Sequence, residues 1–396
     1  MNDHLAILGD TPAFSEPIFV TRPPIPDPVQ FQARLEQIFG SRCLTNNGPF
    51  VRDLEARLQA WLETEFCVCF CNGTVALEIA LRALDLRGEV ITTPFTFPAT
   101  CHAIAWNGLT PVFCDVDPLT YNLDVRTATE LVTERTAAIL PVHVFGNPCD
   151  VEGLEKLASA RGLKVIYDAA HAFGVRHRGR SLATWGDLTM LSFHATKLFH
   201  TAEGGALVGM RGTAVERLRL LRNFGIVNQN EVRGVGSNGK LSELHAAVGI
   251  GVLDLVADEI RRRGEIAARY HERLAGVDGL QFQKLAEDTQ PNHGYFTVAV
   301  DAGRFGLSRD ELHRALLAEN VVTRKYFHPL CSENESYRAL PSARPGALPH
   351  AHALASRILC LPIYGSLPLE SVDRIAERLL AIRAAAERVR RAVGHG

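Results

Sequence analysis

Long apolar runs are missing from this 396-residue chain: no stretch reaches the about 18 consecutive apolar positions that a membrane-spanning helix needs. The first 30 residues also lack the basic-then-apolar order of a secretion signal, so a cytoplasmic protein is expected. A surplus of one charge is missing too. The 42 Lys and Arg against 44 Asp and Glu leave a net charge of −2, so no overall field draws the chain to nucleic acid or to an anionic membrane. Nine cysteines, an odd number without a secretion signal, read as thiols rather than a disulfide framework. Cys67, Cys69 and Cys71 alternate in FCVCFC, which on a strand puts all three on one face as small apolar residues. The distant second ligand pair of a zinc site is not evident, and no metal is expected.

What is there is ordinary for a globular protein, 46% apolar and 22% charged. The length suits a large domain over 1–250, with a Pro-rich arm over 1–27, and a smaller α+β domain over 251–396. From residue 66 short apolar strands alternate with helices: 66–71, 89–93, 111–116, 137–142, 164–167 and 188–193 read as strands. This alternation implies an α/β fold with a mainly parallel sheet covered on both faces. Ligands of such sheets sit off the carboxyl ends of the strands. Beyond Leu241 a helix over 242–253, a long charged helix over 255–274, a strand over 321–324 and one closing helix over 369–393 are expected. Ser308 and Glu311 have the spacing of a capping box.

The chemistry concentrates in LSFHATKLFHTAEGGALVGM, residues 191–210. Lys197 lies between two apolar strands, where an ammonium is heavily penalised. It is either a solvated loop lysine or a desolvated amine able to form a Schiff base. Other polar groups fall at strand ends. Asn72-Gly73-Thr74 opens a helix whose free N–H groups and dipole suit an anion, or simply caps it. Phe97, past a strand in TPFTFP, is a core residue or a stacking ring. Asp168 ends the apolar strand VIYD and needs a cationic or hydrogen-bonded partner, or is a helix cap; His171 follows three residues on.

SFHATK followed by EGGA resembles the DegT/StrS family of sugar aminotransferases, which use pyridoxal 5'-phosphate. DAAHAFG, the Gly-Thr pair and the order of the motifs carry the likeness over about 44–362. The resemblance implies the fold of type I pyridoxal phosphate enzymes, with catalytic Lys197 carrying the cofactor as a Schiff base and Asp168 meeting its pyridine nitrogen. Gly73, Thr74 and Ser192 would hold its phosphate, Phe97 would stack on the ring and His171 would pack over or bond it. Asn238 would reach the phosphate from a neighbouring subunit, implying a homodimer with shared active sites. Asn46 and Asn47 in TNNGPF, and Lys325, Tyr326 and His328 in RKYFHP, would line the substrate end, with Arg324 beside them. His200 departs from the family's usual Asn.

By the same resemblance L-glutamate is the donor and a nucleotide-linked keto-6-deoxyhexose the acceptor, foremost dTDP-4-keto-6-deoxy-D-glucose. A 3-keto acceptor is the near alternative. A dehydratase of the family would have histidine in place of Lys197. A cofactor-binding regulator would need a DNA-binding motif or basic appendage that the sequence does not offer.

Overall fold

The computed structural model describes residues 4–210 and 215–394; residues 1–3 of the arm and 395–396 lie outside them. Two helices open the body, α1 (Pro28–Ser41) and α2 (Pro49–Leu62). The α2 face that carries Val51, Leu54, Leu58 and Leu62 is buried, and truncating Leu58 to Ala would cost about 2–5 kcal/mol. Alternating strands and helices follow: β1 (Phe66–Phe70), α3 (Gly73–Ala83), β2 (Glu89–Thr92), α4 (Pro98–Trp106), β3 (Thr110–Phe113), α5 (Val125–Leu131), β4 (Thr136–Leu140), α6 (Val151–Arg161) and β5 (Lys164–Asp168). Two short strands, β6 (Arg176–His177) and β7 (Arg180–Ser181), precede β8 (Leu188–Ser192) and β9 (Gly205–Gly209).

Seven of these strands form one sheet in the order β1-β9-β8-β5-β4-β2-β3. The pairs β8/β5, β5/β4, β4/β2 and β2/β3 are parallel, while β9 is antiparallel to both β1 and β8. Since β1 and β8 both oppose β9, they run the same way, and β1 ends at the same edge as the parallel strands. Apolar side chains fill both faces. Cys67, Cys69, Ile139 and Val165 belong to one core, and Val68, Val90, Ile166 and Met190 to the other. This is the alternation expected of a sheet covered on both sides.

After α7 (Val215–Arg222) comes a hairpin, β10 (Ile226–Asn228) and β11 (Glu231–Val232), then α8 (Glu243–Leu253) and α9 (Val256–Leu274). Ser242 caps α8. Helix α9 joins two bodies: Val256 is buried in a sheet core, whereas Ile266, Tyr270 and Leu274 are buried in a separate one. That second core surrounds an antiparallel sheet of β12 (Leu280–Phe282), β14 (Phe296–Val300) and β15 (Ile358–Leu361). The intervening β13 (Thr289–Gln290) pairs with β6. Helices α10 (Ala302–Phe305), α11 (Arg309–Ala318), α12 (Pro349–Arg357), α13 (Leu369–Ala384) and α14 (Ala386–Val393) complete the chain. The capping box of Ser308 and Glu311 is formed.

Two expected elements differ. The closing helix breaks at Ala385, with φ −99° and ψ 18°, and α14 packs on α11. Residues 321–324 are not a strand: Val321 makes one bridge to Ile18, and Arg324 one to Cys360. The two ends pair with different partners and in opposite senses, parallel at Val321 and antiparallel at Arg324, so no continuous ladder forms through the segment. Leu5 and Phe14 of the arm are buried in the second core, and His200 bonds the Pro24 carbonyl through Nε2 at 2.8 Å.

Candidate active site

The carboxyl edge of the large sheet opens on a cleft of about 480 Å³. Five strand ends contribute to it: Asn72, Gly73 and Thr74 after β1, Thr96 and Phe97 after β2, Val142 after β4, Asp168 and His171 at the end of β5, and Ser192 from β8. This is the edge at which the topology of a parallel sheet leaves a crevice.

Lys197 enters from the loop between β8 and β9. Backbone bonds hold the loop: Phe193 N–H to Gly204 O at 2.9 Å, Ala195 N–H to Ala202 O at 2.8 Å and Lys197 N–H to His194 O at 2.9 Å. Phe193 and Phe199 are fully buried and meet edge to face at 4.7 Å. With those rings anchored inward, the lysine between them is left facing the cleft, where its Nζ donates to Tyr295 Oη at 3.3 Å. Burial pulls the amine's pKa below the ordinary lysine value, against an opposing pull from Asp168.

Asp168 lines the same cleft. Its Oδ2 accepts from Thr100 Oγ at 2.7 Å and its Oδ1 from the Ala170 N–H at 3.0 Å. Burial raises its pKa, while the Thr100 hydroxyl, the Ala170 N–H and the Lys197 charge act the other way. Thr96 Oγ is 2.9 Å from Thr100 Oγ, so a chain of two buried hydroxyls backs the carboxylate. His171 is neutral, its pKa held well below the usual value by burial and by Lys197. Its Nδ1 accepts the Phe145 N–H at 3.2 Å, which assigns the ring proton to Nε2. The His171 ring lies parallel to those of Phe145 and Phe327 and 4.6 Å from that of Tyr295.

At the opposite end, Asn72 caps α3 by accepting the Val75 N–H at 2.8 Å. The Gly73 and Thr74 N–H groups precede the first intrahelical bonds and are free for an anion. Glycine is required beside them. A Cβ at Gly205 would sit 2.7 Å from Gly73 N, and one at Gly73 would be 3.1 Å from Met190 Sδ and 3.3 Å from Ser192 Cβ. Phe97 is 59% exposed, so its ring is a wall of the cleft and not core.

Gly73, Thr74, Phe97, Asp168, His171, Ser192, Lys197 and Tyr326 are thus brought together. His328 lines an adjoining hollow of about 250 Å³ that shares Thr96, Phe97, Tyr326 and Phe327 with the cleft. Lys325 is turned to Asp310, with Nζ to Oδ1 3.0 Å, whereas Arg324 lines the cleft. Asn46 and Asn47 are not at the cleft of their own chain: they have left-handed backbone, and Asn47 Oδ1 accepts from Arg222. Asn238 is exposed and also outside that cleft, bridged to Asn223. The sequence reading passed over Thr100 and Tyr295. ATCHA offers no cue for Thr100 beyond its place in the first turn of a helix at a strand end. Among the described residues no group of three His, Cys, Asp or Glu has metal-binding geometry.

An amine of lowered pKa facing a buried carboxylate, with an anion site at one end, is an arrangement for covalent carbonyl chemistry and proton transfer. Comparison with known proteins gives the same direction. The chain is 42% identical over 366 residues, 91% of its length and 97% of the relative's, to dTDP-4-amino-4,6-dideoxy-D-glucose transaminase of Escherichia coli. It is 34% identical over 345 residues, 86% of its length and 88% of the relative's, to dTDP-3-amino-3,4,6-trideoxy-alpha-D-glucose transaminase of Streptomyces venezuelae. The crystal structure of DesI with its TDP-sugar product superimposes with a TM-score of 0.92 at 38% identity, covering 100% of this chain and 99% of that one. The sequence pattern of the DegT/DnrJ/EryC1/StrS aminotransferase family matches residues 27–380, and the chain belongs to that family of sugar aminotransferases.

Proposed function

We propose that this aminotransferase uses pyridoxal 5'-phosphate to move the amino group of L-glutamate onto the keto carbon of dTDP-4-keto-6-deoxy-D-glucose, giving dTDP-4-amino-4,6-dideoxy-D-glucose. The observation that carries the reading is that Lys197, Asp168 and the open helix end at Gly73 and Thr74 line one cleft. These groups fit such a cofactor. The amine would hold it covalently, the carboxylate would face its ring nitrogen, and Gly73, Thr74 and Ser192 would take its phosphate. Phe97 and His171 would flank the ring. When bound, the cofactor supplies a carbonyl that condenses with amines and a ring that draws electrons from the neighbouring carbon.

The protein's own part is binding, orientation and proton transfer. Lys197, with its pKa lowered by burial, takes the proton from the α-carbon of L-glutamate. It then returns a proton to the carbon that receives the amino group. Both halves share one site, so ping-pong kinetics are expected. Thr100 and the Ala170 N–H favour the charged form of Asp168 against burial, which raises its pKa. Phe97, Tyr295 and Phe327 line the cleft and limit water beside the reacting carbon. Arg324 and Tyr326 also line the cleft, with His328 in the adjoining hollow. These residues suit the diphosphate and base of a nucleotide.

The enzyme acts as a cytoplasmic homodimer in this reading, and Asn238 and the Asn46–Asn47 loop of one copy serve the cleft of the other. In support, the β10–β11 region exposes Phe224, Ile226, Val227, Val232 and Val235 beside Asn238. An apolar patch of this kind marks a protein contact. A 3-keto acceptor is the second reading, favoured by the Streptomyces venezuelae relative. NMR of the product from L-glutamate and the dTDP-keto sugars separates the two. Nitrogen at C4 supports the proposal. Amination at C3 alone, or of neither sugar, contradicts it.

A further inference from the structure

Lys197 lies in a loop that joins two strands of the large sheet, but the hydrogen bond its Nζ makes among the described residues goes elsewhere. The acceptor is Tyr295 Oη, at 3.3 Å and 98 residues away. Tyr295 lies one residue before β14, the central strand of the second core's sheet. Its ring is fixed on three sides, 4.6 Å from His171, 5.3 Å from Phe145 and 6.2 Å from Tyr326. The hydroxyl is therefore aimed at the amine by packing and not by chance rotation.

We propose that Tyr295 is a positioning residue for Lys197, its hydroxyl oxygen receiving the ammonium that forms when the lysine takes the donor's proton. The inference rests on the proposed function, since it assigns Lys197 the role of base. In that step the α-C–H bond breaks, the proton bonds to the Nζ lone pair, and the bonding electrons stay behind on the carbon. Before the step Nζ has a lone pair; after it, the nitrogen is a cation with three donors in a cleft poor in water. A hydrogen bond to a charged group is worth more than one to a neutral group, so the acceptor favours the protonated amine. Burial raises the pKa of Tyr295, so it stays a neutral hydroxyl and does not lock the lysine in charged form. The other titratable and charged groups that line the cleft are Asp168, His171, His194, Glu203, Arg324 and Tyr326; of these, Asp168 and Tyr326 pull the amine's pKa upward by charge.

The test uses cofactor-free protein, prepared from the holoenzyme, and pyridoxal 5'-phosphate as probe. Capture at Lys197 is trapped with borohydride, read by mass spectrometry and followed against pH. Tyr295→Phe should move the capture midpoint down by about one pH unit, because the charged amine loses its acceptor. In the glutamate half-reaction the same variant should slow proton transfer about tenfold and enlarge the rate difference between ordinary and α-deuterated L-glutamate. Replacement of Tyr295 by 3,5-difluorotyrosine, whose shape is nearly the same but whose fluorines withdraw electrons from a hydroxyl that burial keeps neutral, makes a weaker acceptor and should move the midpoint down by a smaller amount. If Tyr295→Phe does not fold, the fluorinated form alone decides. An unmoved midpoint in the variant that is measured overturns the role of Tyr295. Failure of the unaltered protein to capture the cofactor at Lys197 overturns the proposed function instead.

Discussion

Two ionisable groups share the cleft and are held in different ways. Asp168 is secured within the large body, by a hydroxyl from α4 and by the backbone of its own turn. Lys197 is secured across bodies, by a hydroxyl carried to it from the edge of the second core's central strand. The difference matches the tasks that the proposed reaction gives them. A carboxylate that must stay charged and still needs fixed donors, and a rigid sheet end provides them. An amine that must be covalently bound, freed and protonated in turn needs one partner that leaves it room. The comparison teaches that the acid end of the site belongs to the sheet, whereas the base end depends on how the two bodies meet.

Replacing Lys197 with Ala should break the base end outright: turnover is expected to fall by about 10⁴-fold or more while the melting transition is retained. Near-normal turnover in that variant would remove the lysine from the mechanism. Asp168→Ala attacks the other end and should nearly abolish activity and weaken cofactor binding. A cofactor titration by fluorescence that matched the unaltered protein would rule the carboxylate out as the ring's partner. Thr100→Val tests whether the sheet-held end depends on its hydroxyl. Loss of one hydrogen bond to a charged group should weaken cofactor binding about tenfold, and Thr100→Ser should restore it. Equal affinities for all three proteins would show that Asp168 needs no such support. Phe97→Ala removes a ring of about 0.5–1.5 kcal/mol in stacking. It should raise the cofactor's dissociation constant a few-fold and leave Lys197 reactive.

The histidines sharpen the comparison on the side of stability. His143, behind the cleft, has its pKa depressed to about 3 by burial, and that of His171 lies well below the usual value for the same first reason. A base with a depressed pKa binds protons more readily when unfolded. The cofactor-free protein should therefore lose stability as pH falls below 6.5, the ordinary histidine value, with each histidine contributing about 1.4 kcal/mol per pH unit. Urea midpoints at pH 7, 6 and 5 read this slope, and a flat series would mean that these rings are hydrated.

Much of the sheet-held end was legible in the sequence. Asp168 ends a run of apolar strand residues, and Gly73-Thr74 and Ser192 fall where strands give way to loops, so strand periodicity alone points them to one edge. Lys197 stood out because charge is rare between two apolar strands. The base end was far less legible. Tyr295 opens a strand of the second core and reads there as one more aromatic, and nothing local ties it to a lysine 98 residues away. Thr100 meets Asp168 across 68 residues in the same way. The break at Ala385 lies in RAAAERVRR, where no Gly or Pro interrupts the helical period, and packing of α14 on α11 decides it. The 321–324 strand is also decided by distant partners, since Val321 bridges Ile18 in parallel and Arg324 bridges Cys360 antiparallel, and no single ladder spans both.

The central claim is that Lys197 and Asp168 work on one bound pyridoxal 5'-phosphate to take nitrogen from an amino acid. Absorbance of the cofactor-loaded protein during addition of L-glutamate, with no sugar present, tests it most directly. The account predicts that the long-wavelength band of the lysine-bound cofactor gives way to the shorter-wavelength band of the amine form, with 2-oxoglutarate released in equal amount. A bound cofactor whose spectrum does not change with L-glutamate would contradict it.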